Sequence, residues 1–479
     1  MIRLAYLAPS AVAAGCGLAL VTRPALAPSL AAALLLLVVR PPVALAVLLV
    51  VAGWWWGGER LRALDRSVLA ARVGTAERAV VETQEPARTT RFAVRVRALV
   101  RRWGSLDVRE RVLLELPLGR APPQGARLQV LGTLRDPGDE RGWLRLHGIH
   151  VVLRASTWRR IGSRDSAADR LHAWLARASV PGLVGERRAV LAGVVLGEDD
   201  GLSESLRARF RASGLYHLLA VSGGNVLVVA GGATLLALAL GLSRLVAEAC
   251  ALAAIVGYVL AVGPQPSVLR AGIAGALGCL AWLSGRERDR TYALLFGGAV
   301  LLAWSPYTLL DPGFQLSFAA VAAIFHAAPR VRDRLEGYPL PGPLRDAVAV
   351  SSVCALATAP ISWAHFHQVP LLTVPANVAA APVVAPMLAL ALLAAVLGPL
   401  GPLLAKANGL LAAYLAGCAR LFGGLPGAQV RSPAAAAALA GCALLAAAYA
   451  STRGERAEAG LSPHRQRPPE DHPRAPPPA

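Results

Sequence analysis

The residues best suited to chemistry lie between Val195 and Val226. Three consecutive carboxylates, Glu198, Asp199 and Asp200, open this stretch, and His217 with Ser222, Gly223, Gly224 and Asn225 close it inside an apolar run. Polar groups at membrane depth are costly and are retained for function, so these residues are candidates to line an aqueous path. The alternative from chemistry alone is helix packing at the Gly-Gly pair, with Asn225 as a buried interhelical hydrogen-bond donor. Three more polar clusters stand at the ends of apolar runs. Arg270 in Pro266-Ser-Val-Leu-Arg270 either meets a phosphate or snorkels to the interface. In Asp311-Pro-Gly-Phe-Gln-Leu-Ser-Phe318, Asp311 is an acidic helix cap, while Gln315 and Ser317 are lumen candidates. His365 and His367 resemble a metal pair, but no third ligand is near in sequence, so neither a metal nor a cofactor is expected.

A second constellation is basic. The segment 59–177 carries 24 Arg against 13 Asp plus Glu, a surplus of 11 in a chain whose formal charge is +20. From Arg91, alternation sets Phe92, Val94 and Val96 on one face and Arg91, Arg95 and Arg97 on the other, followed by Arg101, Arg102 and Trp103. Guanidinium rows beside an aromatic suit a single strand of nucleic acid. A solvated strand face, or attraction to anionic lipid headgroups, accounts for the same pattern. Only Lys406 among the 49 basic residues is lysine, so arginine is the default cation here.

The elements that must hold these groups follow from composition. With 55% hydrophobic and 16% charged residues, the chain is expected to be a polytopic α-helical membrane protein. Apolar runs at 4–21, 25–39 and 43–56 precede a polar region. Others follow at 217–240, 246–262, 267–284, 291–304, 313–328, 346–364, 371–398, 403–422 and 433–450, roughly twelve spans together. The 371–398 run carries Pro375, Pro382 and Pro386 and is expected to kink, break or re-enter, whereas 189–196 is too short to span and is expected in the interface. Within 59–180, period-two runs at 78–84, 91–100, 108–116, 126–134 and 143–154 predict a small inserted β-barrel of the OB type. The expected division is thus 1–58 amino-terminal helices, 59–180 barrel, 181–450 membrane domain and 451–479 a disordered Pro/Arg-rich tail. Loop arginines are concentrated at 244, 286–290, 330–345 and in the tail, which places the barrel outside and both termini inside. The six cysteines lie singly in apolar runs and read as small packing residues.

Some classes are excluded. No phosphate-binding loop is present, so the chain is not its own motor. Ser222 lacks a nucleophile elbow, and no His-x-His-x-Asp-His run occurs. Four pieces in order, Leu196-Gly-Glu-Asp-Asp-Gly-Leu-Ser203, His217-Leu-Leu-Ala-Val-Ser-Gly-Gly-Asn-Val226, Pro266 to Arg270 and Asp311 to Phe318, resemble the ComEC-type competence proteins. Trp143-Leu-Arg-Leu-His-Gly-Ile149 is similar to the close of that family's OB-like domain. The resemblance implies a channel, not an enzyme, in the cytoplasmic membrane that takes up single-stranded DNA during natural transformation. It also implies contact with membrane lipids, a separate DNA receptor and a cytoplasmic ATP-driven motor. Many members carry a metallo-β-lactamase-like nuclease domain; here it is not found, which implies a separate nuclease or a shortened lineage variant. Two alternatives remain at this level: a membrane transferase acting on a lipid-linked substrate, which would use carboxylates clustered at the membrane face, and a transporter of another anionic polymer.

Overall fold

A computed structural model describes residues 4–22, 41–90, 92–164, 166–263, 266–283 and 289–434. The expected span at 25–39, nearly all of that at 433–450, the tail 451–479 and Arg91 fall outside the described residues.

The polar region folds as a β-structure with six strands: β1 (Ala76–Thr83), β2 (Arg88–Thr89), β3 (Val94–Trp103), β4 (Leu106–Leu116), β5 (Ala126–Arg135) and β6 (Val152–Ser163). Strand β1 pairs antiparallel with both β3 and β5, β3 with β4 and β5 with β6, while β4 and β6 run parallel. Five strands therefore close on themselves, which leaves no long unpaired edge. Alternation in β3 sends Val94, Val96, Ala98 and Val100 inward, where they meet Val81, Val112, Leu114, Leu128 and Val130. The strand expected at 143–154 is corrected. A short helix, α3 (Arg141–Leu146), occupies its first half, and the last strand starts only at Val152. Leu144 and Ile149 are buried together with Leu113 and Val152, so the helical turn brings two apolar side chains to the same small core.

The remainder is helical. Before the barrel come α1 (Leu4–Leu18) and α2 (Pro41–Asp65). They run parallel at short range, since a Cβ on Gly53 would lie 2.6 Å from the Val12 carbonyl oxygen. After it come α4 (Ala167–Ala178), α5 (Gly185–Leu196), α6 (Glu204–Ser213), α7 (Gly223–Ala239), α8 (Arg244–Val262), α9 (Pro266–Leu283) and α10 (Arg290–Trp304). They are followed by α11 (Pro312–His326), α12 (Ala328–Arg334), α13 (Gly342–Phe366), α14 (Thr373–Val396) and α15 (Gly401–Gly424). Among the described residues, five helices are long and apolar enough to cross a membrane, the stretches Val43–Arg72, Leu215–Ala239, Arg244–Val262, Gly342–Phe366 and Thr373–Val396. The pair α11 and α12 would make a sixth, bent by 45° at its break. Three shorter apolar helices lie within α1, α9 and α10. Despite Pro382 and Pro386, α14 is one continuous helix.

Residues 189–196 are buried within the protein. Helices α4 and α5 form a helical hairpin whose arms splay onto the long helices, α4 on α8 and α14 and α5 on α14 and α15, with Val190, Leu191, Val194, Val195 and Leu196 in the main hydrophobic core. Leu171 faces Gly257 of α8, Leu183 faces Gly409 of α15, and Pro181 faces Gly401 where α14 turns into α15. Each arm has 12 residues, about 18 Å of helix. His172 Nε2, midway along α4, lies 2.9 Å from Glu198 Oε1, just past the end of α5. Gly197, at φ 77°, ends α5 in the left-handed conformation that a side chain would disfavour.

Candidate functional site

The three carboxylates end α5 and face three different elements. Glu198 pairs with His172 of α4. Asp199 accepts from Tyr216 Oη at 2.6 Å and from Arg207 Nε at 3.2 Å, while Arg207 Nη2 donates to its carbonyl oxygen at 2.8 Å. Asp200 lies 3.6 Å from Arg88 of β2. Burial, with Asp199 and Glu198 adding repulsion, pushes the Asp200 pKa up to about 6 against the pull of Arg88. The cluster thus braces the hairpin, α6 and the barrel against one another. Helix α6 lies over it because Leu202, Leu206, Phe210 and Leu215 are all buried.

Most of the run from His217 to Asn225 precedes the helix. Residues Leu215–Leu218 form a 3₁₀ turn, His217 is exposed with Nδ1 at 2.8 Å from the Gly214 oxygen, and α7 begins only at Gly223. The Gly-Gly packing alternative is corrected: a Cβ on Gly223 would meet only Ala271 at 3.7 Å, and Gly224 is exposed. Asn225, 4% exposed, does act as an interhelical donor, from Nδ2 to the Val194 carbonyl at 2.7 Å. Its Oδ1 accepts from Ser222 Oγ at 3.1 Å, and neighbouring Tyr258 Oη donates to the Val195 carbonyl at 2.7 Å. The end of α5 is therefore sewn to α7 and α8, and Tyr258 is a residue the sequence reading missed. Its signal was a hydroxyl four residues from the end of an apolar run.

Arg270 reaches across to a neighbouring helix. Its Nε donates to Ser317 Oγ of α11 at 2.9 Å, and its guanidinium lies 5.8 Å from the Phe318 ring centroid, so two residues singled out separately meet across helices. Asp311 caps α11 by accepting from Phe314 N at 2.9 Å. Gln315 donates to the Leu309 carbonyl at 2.8 Å and meets His365 Nε2 at 2.8 Å, which gives that histidine a partner other than a metal. His367 instead ends α13 at φ 51°. The cap of α11 lies towards the barrel, since Arg97 and His147 are within electrostatic reach of Asp311. The barrel is anchored there by an unforeseen triad: Arg145 donates to Asp65 at 3.0 and 2.6 Å, and Tyr307 Oη donates to Asp65 at 2.8 Å.

The proposed nucleic-acid face is redistributed. Trp103 is corrected: at 1% exposed it fills the barrel core and offers no stacking face. Arg95 pairs with Glu115 and Glu140, each at 2.8 Å, and Arg97 pairs with Glu85 at 3.2 Å and lies over Trp143. Arg101 shares the buried Glu82 with Arg127; burial alone would raise that carboxyl, but the two guanidinium groups hold its pKa below the ordinary range. Of the named arginines among the described residues, Arg102 alone is exposed without an ion pair.

A helical assembly of this kind, with long apolar helices, a buried hairpin and a docked barrel, defines a membrane protein. The Competence protein family model matches residues 194–455, more than half of the chain, and the chain belongs to that family. It is similar to ComE operon protein 3 of Bacillus subtilis (strain 168), 29% identical over 198 residues, which are 40% of this chain and 24% of that relative. The alignment thus covers about a quarter of the curated relative. No solved structure matches.

Proposed function

We propose that this protein is the membrane conduit through which single-stranded DNA enters the cytoplasm during natural transformation. The observation that carries the reading is the family match over 194–455, which takes in the carboxylate cluster, Asn225, Arg270 and the cap of α11. On this reading roughly twelve helices cross the cytoplasmic membrane, and 59–180 is an OB-type barrel on its outer face. The strand order, with one parallel pair closing five strands, supports the OB assignment. A barrel lying over the polar end of the bundle suits a strand that is gathered first and threaded next, and the surplus of arginine over acid in 59–177 suits phosphate. On this reading a DNA receptor and an ATP-driven motor act with it as partners.

Two measurements test this. Removing the gene should abolish entry of labelled DNA into competent cells, with restoration by the intact chain; undiminished entry sinks the reading. The purified full-length protein should bind single-stranded DNA without sequence preference and lose affinity as salt rises. Arg102→Glu should lower the slope of log affinity against log salt by roughly 1 or more, as loss of a phosphate contact does.

A further inference from the structure

We propose that Arg270, oriented by Ser317 and Phe318, is a contact point for the phosphodiester backbone of a nucleic-acid strand passing between α9, α10 and α11. This rests on the DNA-conduit reading and adds the residue that touches the cargo within the helices.

Four observations converge. First, Arg270 lies in an apolar helix with no carboxylate within salt-bridge distance among the described residues, whereas Arg207, Arg244 and Arg420 have carboxylate partners and Arg209 has the Gly423 carbonyl. An unneutralised guanidinium in an apolar helix is a costly feature that needs an anion from elsewhere. Second, the group is fixed. Ser317 holds Nε at 2.9 Å and the Phe318 ring stands behind it at 5.8 Å, while the two terminal nitrogens have no protein partner among the described residues and are not sealed from their surroundings. That leaves the forked edge of the guanidinium free, the geometry that matches a phosphate. Third, α10 packs closely behind the pair: a Cβ on Gly298 would stand 3.1 Å from the Phe318 ring, so a larger residue there would displace the ring that backs Arg270. Fourth, the site adjoins the His217 to Asn225 run, since Ser267, one turn before Arg270, donates to the Val221 carbonyl at 2.9 Å. A single cation also suits passage: binding must favour entry without preventing exit, and a row of arginines would hold a polyanion in place.

The test uses the full-length protein in phosphatidylcholine nanodiscs with a photoreactive benzoylphenylalanine at position 318 and a labelled oligothymidylate as probe. Light should couple the oligonucleotide to the protein, and Arg270→Gln should reduce that yield roughly ten-fold, the scale of one charge-assisted hydrogen bond, at unchanged protein recovery. Arg270→Lys, which keeps charge but loses the fork, should give an intermediate yield. Should Arg270→Gln fail to accumulate, Ser317→Ala decides, because it removes only the orienting hydroxyl and should still lower the yield. Equal coupling in the variants, or coupling to lipid that excess oligothymidylate does not displace, overturns the assignment. Uptake by cells separates the two levels: a parent strain whose DNA import does not depend on this chain sinks the conduit reading, whereas dependent import that continues at the parental rate with Arg270→Gln sinks only the role of Arg270.

Discussion

Asn225 and Asp200 show how the same local motif serves different ends. Asn225 is enclosed, and leucine in its place would leave the Val194 carbonyl and Ser222 hydroxyl without their partner. The cost of such orphaned groups is about 1–3 kcal/mol each. Asn225→Leu should therefore lower the thermal unfolding midpoint in detergent and the level in membranes, before any effect on transport; a variant as abundant and as stable as the parent would contradict this. Asp200 predicts a pH effect. Its pKa is raised from 3.8 to about 6, so the folded state holds its proton more tightly than the unfolded chain. Its contribution to stability is full at low pH and is lost as pH rises through that interval. The midpoint of Asp200→Asn relative to the parent should climb across the same interval and level off above it. A difference that stays flat there removes the proposed burial of the acid.

At the scale of elements, the α4–α5 hairpin is the feature that periodicity could not reveal. Each arm is half the length of a span, and its polar residues, among them Arg187 and Arg188, disguise a segment whose opposite face is fully buried. Its tip is testable. In a background free of other cysteines, Leu183→Cys with Gly409→Cys should form a disulfide on mild oxidation in membranes, because the two positions are in side-chain contact, a Cβ on Gly409 lying 2.9 Å from Leu183 Cδ2. A hairpin lying flat on the surface would leave the two thiols unlinked. The barrel strands were legible because alternation between valine and arginine is strict in β3. The last strand was not, since Trp143 to His150 alternates almost as well yet is helical in its first half, where Leu144 finds a core.

For the whole molecule, the question is what holds the barrel over the helices. Asp65, Arg145 and Tyr307 come from α2, the barrel helix and the segment before α11, and Arg88 to Asp200 adds a second tie. Asp65→Asn should loosen the barrel and speed proteolytic cleavage in the 66–75 connection, while Arg88→Ala should do so less, because its 3.6 Å contact is more exposed. An unchanged cleavage rate in Asp65→Asn would show that the triad does not carry the docking. Topology is a separate expectation: reporters fused after Leu283 and after Ser305 should report opposite compartments, and matching signals would overturn the orientation drawn from loop arginines.

The sequence alone determined the class, because apolar runs long enough for a bilayer, period-two strands and four ordered motifs are local properties that survive without knowledge of the fold. It also singled out Arg270, Ser317, Asp311 and Asn225, since a polar residue in an apolar run is conspicuous wherever it points. Only the tertiary structure decided which of them meet. Arg270 and Ser317 are 47 residues apart and Asn225 and Val194 are 31 apart, and no periodicity encodes such pairings. The same holds for Trp103, whose place in a row of arginines suggested a surface role. The closure of β1 onto β3 turned it into the core, because a strand end at a barrel seam is covered by the partner that closes it.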